Sequence, residues 1–139
     1  MAAITDNLLT ELKNSHDIEI FFKSHEGLFI DKPLCEYLTE LQEIKGLNIS
    51  TISNNSGVGE YAYKIFKGTK KPSRDILISL AFGMMLTLEE TQLILRISKY
   101  AVLDSRDKRD AVIIYGIVNK LSVFQTNDML DKNNLVTLN

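Results

Sequence analysis

Little in this chain points toward metal or redox chemistry. It has a single cysteine, Cys35, which excludes a disulfide within one chain and a thiolate metal framework. The two histidines, His16 and His25, lie far from that cysteine and from any His-x-x-Glu pattern, so no zinc site is expected. No apolar run approaches the ~20 residues of a membrane-spanning helix, and no secretory leader is evident. The expected setting is the cytoplasm, with no membrane partner. No repeat or low-complexity segment occurs. No Ser-His-Asp set, paired carboxylates or phosphate-binding loop appears in a suitable context, so neither an enzyme nor a cofactor is expected. Two prolines and seven glycines leave few breaks, and with Leu, Ile, Lys and Glu abundant the fold class reads as all-α.

What is present is an ordinary apolar content, 45% of 139 residues, long enough to bury a core and too apolar for disorder. Charge is unevenly placed. The chain carries −2, but residues 1–45 hold nine acidic and four basic groups, a net of −5. Residues 46–75 hold two acidic (Glu60, Asp75) and five basic (Lys64, Lys67, Lys70, Lys71, Arg74), a net of +3. The remainder is neutral, with seven of each. A local basic face suffices for nucleic acid, because phosphate contacts are local and the field is screened within about 8–10 Å. The acidic whole disfavours indiscriminate coating.

The basic segment is also the most patterned. Gly46 to Ser73 reads GLNISTISNNSGVGEYAYKIFKGTKKPS. Gly46 sits where a helix ends in a left-handed residue. Asn48 or Ser50 caps a short helix that turns Ile49 and Ile52 inward and ends near Asn55. Gly57 supplies a tight turn, and Val58 plugs the angle beyond it. A further helix spans about Gly59 to Lys67, with Ala62, Ile65 and Phe66 on one face and Glu60, Tyr63, Lys64 and Lys67 on the other. Gly68 ends it, Thr69, Lys70 and Lys71 form a basic loop, and Ser73 after Pro72 caps the next helix. Two short helices, a glycine turn and a basic loop form the pattern that lays a helix in the DNA major groove.

With GL, SGV, YAYKIFKG and KPSRD in place, the segment from about Lys32 to Ser98 resembles the Xre-type, λ-repressor-like helix-turn-helix family. The flanks, including LSVFQTNDML, resemble extensions in a bacterial subgroup of such regulators. The resemblance implies a recognition helix exposing Glu60, Tyr61, Tyr63, Lys64 and Lys67. It also implies backbone contacts from Thr69, Lys70, Lys71 and Ser73, with Ser50 and Arg74 completing the DNA-facing set. Two departures stand out. Val58 to Gly68 is one residue shorter than the family spacing, and Phe66 stands where Glu is frequent. Counting forward from Gly57 buries Tyr63 and Phe66; counting back from Gly68 buries Ala62 and Ile65. The second register is preferred, because Ala62 allows close approach and frees Tyr63 and Lys64. Tyr61 and Tyr63 alternatively read as packed aromatics.

The flanks read as helical. Thr5 to Lys13 carries Leu8, Leu9 and Leu12, and Ser15 caps a helix with Ile18, Phe21 and Phe22. After a loop at Gly27, Asp31 with Pro33 opens a helix bearing Leu34, Leu38, Leu41 and Ile44. Thr87 to Glu90 is a capping box, Asp104 or Ser105 caps a helix to about Lys120, and Ser122 to Gln125 opens the last helix. RDKRD at Arg106–Asp110 reads as a solvated first turn, and the tail beyond Asn133 as loose. The organisation is an N-terminal helical extension (1–30), a helix-turn-helix domain (31–101) and a C-terminal helical extension (102–139). The expected function is sequence-specific binding of double-stranded DNA, as a transcriptional regulator. One such domain reads few bases, so a homodimer on a two-fold operator is expected. The apolar surface of the C-terminal pair of helices forms the dimer interface or packs back on Phe21 and Phe22. The alternative function is a protein-interaction adaptor or antitoxin-like module on the same scaffold.

Overall fold

The computed structural model describes residues 2–24 and 32–139. The loop expected at Gly27, the helix start expected at Asp31, and His25 lie outside the described residues. Nine α-helices and no strand occur among the described residues. The chain divides into two compact units, Met1–Asp31 and Lys32–Asn139.

The first unit holds α1 (Ala2–Asn14) and α2 (Ile18–Ser24). The cap of α2 is Asp17, not Ser15. The Asp17 carboxylate accepts from the N–H groups of Glu19 at 2.9 Å and Ile20 at 3.2 Å. Asp17 directly precedes the helix, whereas Ser15 lies two residues too early and its hydroxyl donates to the Asp17 carbonyl. Phe21 is buried, and Ile18, Ile20 and Phe22 are exposed.

The second unit runs α3 (Leu34–Lys45), α4 (Ile49–Ser56), α5 (Tyr61–Lys67), α6 (Arg74–Gly83), α7 (Leu88–Ile97), α8 (Lys108–Val118) and α9 (Val123–Lys132). Short polar caps set most of these boundaries. Of the two expected caps for α4, Asn48 serves, accepting from the Thr51 N–H at 2.7 Å. Ser73 caps α6, and the boxes Thr87/Glu90 and Ser122/Gln125 form in full. Helix α8 is capped by Asp107, two to three residues later than expected, through the Asp110 N–H at 2.9 Å. The reason is local: the Asp104 carboxylate is already held by Arg106, through its backbone N–H and its guanidinium.

One hydrophobic core runs through this unit. Leu38 and Leu41 of α3, Ile52 of α4, Ala62, Ile65 and Phe66 of α5, Leu77, Ile78, Leu80, Ala81 and Phe82 of α6 and Ile94 and Leu95 of α7 belong to it. So do Ile113 and Ile117 of α8, Val123 and Leu130 of α9, and Leu138. Helix α6 packs on α4, α7 and α9, and α5 is braced by α3 and α4. The α4–α6 crossing is close enough to need glycine: a Cβ on Gly83 would stand 2.7 Å from the Ser56 Cβ and 2.8 Å from the Ile52 carbonyl.

The C-terminal helices α8 and α9 contribute to the core of this second unit. Their apolar faces are covered by α6 and α7 of the same unit. Tyr115, Val118 and Phe124 stay exposed. RDKRD is not merely a solvated turn, since Arg109 and Asp110 both carry ion pairs to α6. Nor is the tail loose. Leu138 is buried, its N–H donates to the Asn127 side chain at 2.8 Å, and Arg109 donates to the carbonyls of Val136 and Thr137. Asn139 reaches the Ser56 carbonyl at 3.2 Å, beside Gly57. Such contacts join residues more than eighty positions apart in sequence, where local pattern carries no information.

Candidate nucleic-acid interface

The candidate surface is built on α5 and the loop after it. Helix α4 ends at Gly57, in the left-handed region at φ 71°, and Gly59 repeats that conformation at φ 70°. Two left-handed residues so close together make a tight turn between α4 and α5, a conformation that a side chain at either position would resist. Gly59 consequently lies before the helix, and α5 begins at Tyr61, two residues later than the spacing suggests. Residue 60 provides no side-chain cap.

The register is the one counted back from Gly68. Ala62 and Ile65 are fully buried, and Phe66 is nearly so. Tyr63 is 40% exposed, and Glu60, Lys64 and Lys67 are exposed with it. Alanine at position 62 lets the helix approach its neighbours, and the bulk of Phe66 is absorbed by the core rather than displayed. Tyr61 takes the packed role. It is half-buried against the core, and its hydroxyl donates to the Lys71 carbonyl at 3.3 Å.

The loop is fixed by polar contacts on both sides. The Thr69 hydroxyl donates to the Lys64 carbonyl at 3.1 Å, closing the C-terminus of α5, and the Ser73 hydroxyl accepts from the Ile76 N–H at 3.2 Å. Both hydroxyls hold backbone in place. Lys70 and Lys71 are exposed, and the Lys71 ammonium sits 5.0 Å from the centre of the Tyr100 ring, a contact of about 0.5–1 kcal/mol at an exposed site. The Tyr100 hydroxyl in turn donates to the Pro72 carbonyl. Ser50 is exposed on α4. Lys64, Lys67 and Lys70 form no ion pair among the described residues.

Arg74 departs from this set. Its Nε donates to the Ala101 carbonyl at 2.9 Å, and its Nη atoms grip both Asp110 carboxylate oxygens at 3.3 and 3.1 Å. With its fork engaged by protein acceptors and its charge balanced, Arg74 differs from the exposed Lys64, Lys67 and Lys70. Sequence reading counted it as a cation of the loop, because its partner lies thirty-six residues away. Lys99 and Tyr100 were missed for the same reason: α7 brings its C-terminal end to the loop, and only the fold makes that neighbourhood.

Arranged in this way, the surface offers one aromatic and several cations, with Glu60 the one acid in the set. No group of metal-ligating side chains occurs among the described residues, and none of their helices is long and apolar enough to cross a membrane. In comparisons with protein-family models, curated protein sequences and solved structures, no match to this chain is found.

Proposed function

We propose that this chain is a sequence-specific DNA-binding protein of the Xre-type, λ-repressor-like kind, acting as a transcriptional regulator in the cytoplasm. The observation that carries the reading is the division of α5 into two faces. Ala62, Ile65 and Phe66 anchor it in the core, while Glu60, Tyr63, Lys64 and Lys67 stand exposed, followed at once by Lys70 and Lys71. A short helix rigidly seated on α3 and α4, with its outer face polar and basic, suits entry into the major groove. In this reading the side chains of α5 read base edges, and Lys70 and Lys71 grip phosphates. Tyr63 and Lys64 have the reach for base contact, and Thr69 and Ser73 set the loop from which the lysines project.

A homodimer on a two-fold operator is part of the proposal, since one short helix contacts few bases. The exposed Tyr115, Val118 and Phe124 are its candidate contacts. The second reading, an adaptor or antitoxin-like module, draws on the same exposed apolar residues and on Glu60, whose charge opposes phosphate at the start of α5. Selection of bound duplexes from a random pool decides between them. A palindromic winner supports both DNA recognition and pairing, and failure to enrich any sequence rejects the regulator.

A further inference from the structure

The hairpin α8–α9 repeats the hairpin α6–α7 at an interval of thirty-five residues. Arg74 stands at the start of one and Arg109 at the start of the other. Each guanidinium holds two successive carbonyls just beyond its own hairpin, Ala101 and Val102 in the first and Val136 and Thr137 in the second. Each also grips the aspartate beside the other arginine, Asp110 and Asp75. Met85 and Lys120, both left-handed, follow the first helix of each pair. Thr87 and Ser122 cap the second through matching boxes, and the buried Thr91 and Thr126 donate to the carbonyls of those caps. Gln92 and Asn127 accept from the N–H groups of Leu103 and Leu138. The packing is reciprocal as well: α6 lies on α9 and α8 on α7. Partners exchanged in this way are those of an approximate two-fold axis. Few of the paired residues are identical, which is why residue order displays no repeat.

The symmetry fails on one face. On α6, Gly83 lies against Ser56 and the Ile52 carbonyl of α4, and Leu80, three residues earlier on the same face, is fully buried. Their counterparts on α8 are Val118 and Tyr115, 60% and 57% exposed. The same face is thus covered by a crossing helix on α6 and left bare on α8. On α8 the stripe runs back from Val118 and Tyr115 through the half-buried Ala111 to Lys108 and carries no acid. Lys108 stands in the first turn, where the helix dipole disfavours a cation, and the last turn has no basic side chain. We propose that this face docks against α8 of a second copy of the chain, the two helices antiparallel across a two-fold axis near Tyr115. That arrangement lays Lys108 of each chain beside the C-terminal carbonyls of the other α8, the end that favours a cation. Tyr115 and Val118 cover one another, and Ala111 permits close approach. A different partner would have to bring an acid for Lys108, whereas a second copy needs none. The interface belongs to the homodimer of the proposed regulator and rests on that reading for its purpose, though not for its geometry.

The test is sedimentation of the full chain, alone and with the duplexes selected from a random pool. The chain is expected to dimerise below ~100 μM, alone or on duplex. Val118→Lys brings two ammonium groups together across the axis and is expected to weaken the dimer roughly tenfold or more. Its thermal midpoint, measured where the parent is monomeric, should match the parent's, because position 118 is exposed. Lys108→Glu separates antiparallel pairing from any other use of the face. An acid in the first turn suits the isolated helix but meets the C-terminal carbonyls of the second copy. The dimer should therefore weaken severalfold while the monomer's midpoint holds or rises. A chain that stays monomeric at ~100 μM with and without duplex, or a dimer that Val118→Lys leaves intact, overturns the proposal. So does a dimer that Lys108→Glu strengthens or leaves unchanged. Duplex bound by a chain that remains monomeric overturns this interface and leaves the DNA reading standing. A dimer broken by both variants in a chain that enriches no duplex keeps the interface and rejects the regulator.

Discussion

Arg74 at the start of α6 and Asp110 in the first turn of α8 form a forked ion pair, and the residues beside them form a second one with the charges exchanged. Arg109 donates to both Asp75 oxygens, at 3.0 and 3.1 Å. Asp110 also accepts from the Asp104 N–H at 3.1 Å, and Arg109 also holds the carbonyls of residues 136 and 137. The two pairs clamp the C-terminal helices to the helix that follows the basic loop. Side chains of Arg74 and Asp110 are 23% and 11% exposed, so removing one partner strands the other in a poorly hydrated place. Arg74→Ala is expected to cost about 2–4 kcal/mol of stability, measured by urea unfolding. An unchanged urea midpoint would remove the clamp from the account and return Arg74 to the DNA-facing set.

The two faces of α5 should separate in mutagenesis. Ile65→Ala opens a cavity in the core and is expected to cost on the order of 2–5 kcal/mol. Tyr63→Ala should cost far less yet change which duplex is preferred, since Tyr63 is 40% exposed on the outer face. Unfolding curves paired with competition among duplexes would show this. Should Tyr63→Ala cost as much stability as Ile65→Ala and leave the duplex preference unchanged, the outer face has been assigned to the wrong residues.

Salt should weaken DNA binding steeply. With about three phosphates neutralised per chain by the exposed lysines, log affinity falls against log salt with a slope of roughly −5 for a dimer. Lys70→Ala should lower affinity for every sequence alike and reduce the slope by about one for each bound chain. Binding that persists with a slope near zero would exclude these lysines as the phosphate grip.

Glu90 gives a pH dependence with a defined sign. Burial pushes its pKa up, but hydrogen bonds from the Thr87 backbone and from Lys45, whose ammonium is 3.0 Å away, outweigh this and leave it below the usual carboxylate value. The unfolded chain thus takes up the proton at a higher pH than the folded one. Stabilisation by Glu90 is full above the ordinary carboxylate range and is lost as pH falls through the lowered value. Glu90→Gln keeps an acceptor for the capping box and drops the charge. It is expected to cost up to about 1 kcal/mol near neutrality, and the difference should vanish in acid. A difference that stays constant from neutral pH to pH ~3, below the ordinary Glu range, would remove Glu90 as the titrating group.

The last residues should matter to stability. Leu138 is buried in the common core, so Leu138→Ala is expected to cost about 2–3 kcal/mol. Thermal unfolding of the full chain tests this. A midpoint equal to that of the parent would mean that the tail contributes nothing to stability.

Helix identity was legible from residue order, because caps, turn glycines and apolar spacing act within a few residues. Asn48, Gly57, Gly68, Ser73 and the two capping boxes behave as local chemistry dictates. The burial of Ala62 and Ile65 followed from helical periodicity counted back from Gly68. What spacing could not supply was the fate of charges and apolar faces whose partners are distant. Arg74 has the same sequence surroundings as the loop lysines, yet it faces Asp110; Lys70 beside it faces no carboxylate. Position along the chain does not encode that difference. It arises when α8 packs over the start of α6, a choice made by burying Ile113, Ile117, Val123, Leu130 and Leu138 in the core that α5 already shares. Local hydrogen bonds and periodicity determined which segments are helices and which way α5 turns. The pooled burial of apolar faces across the whole unit decided which cations remain exposed, because desolvation and pairing depend on neighbours that only the tertiary structure brings together.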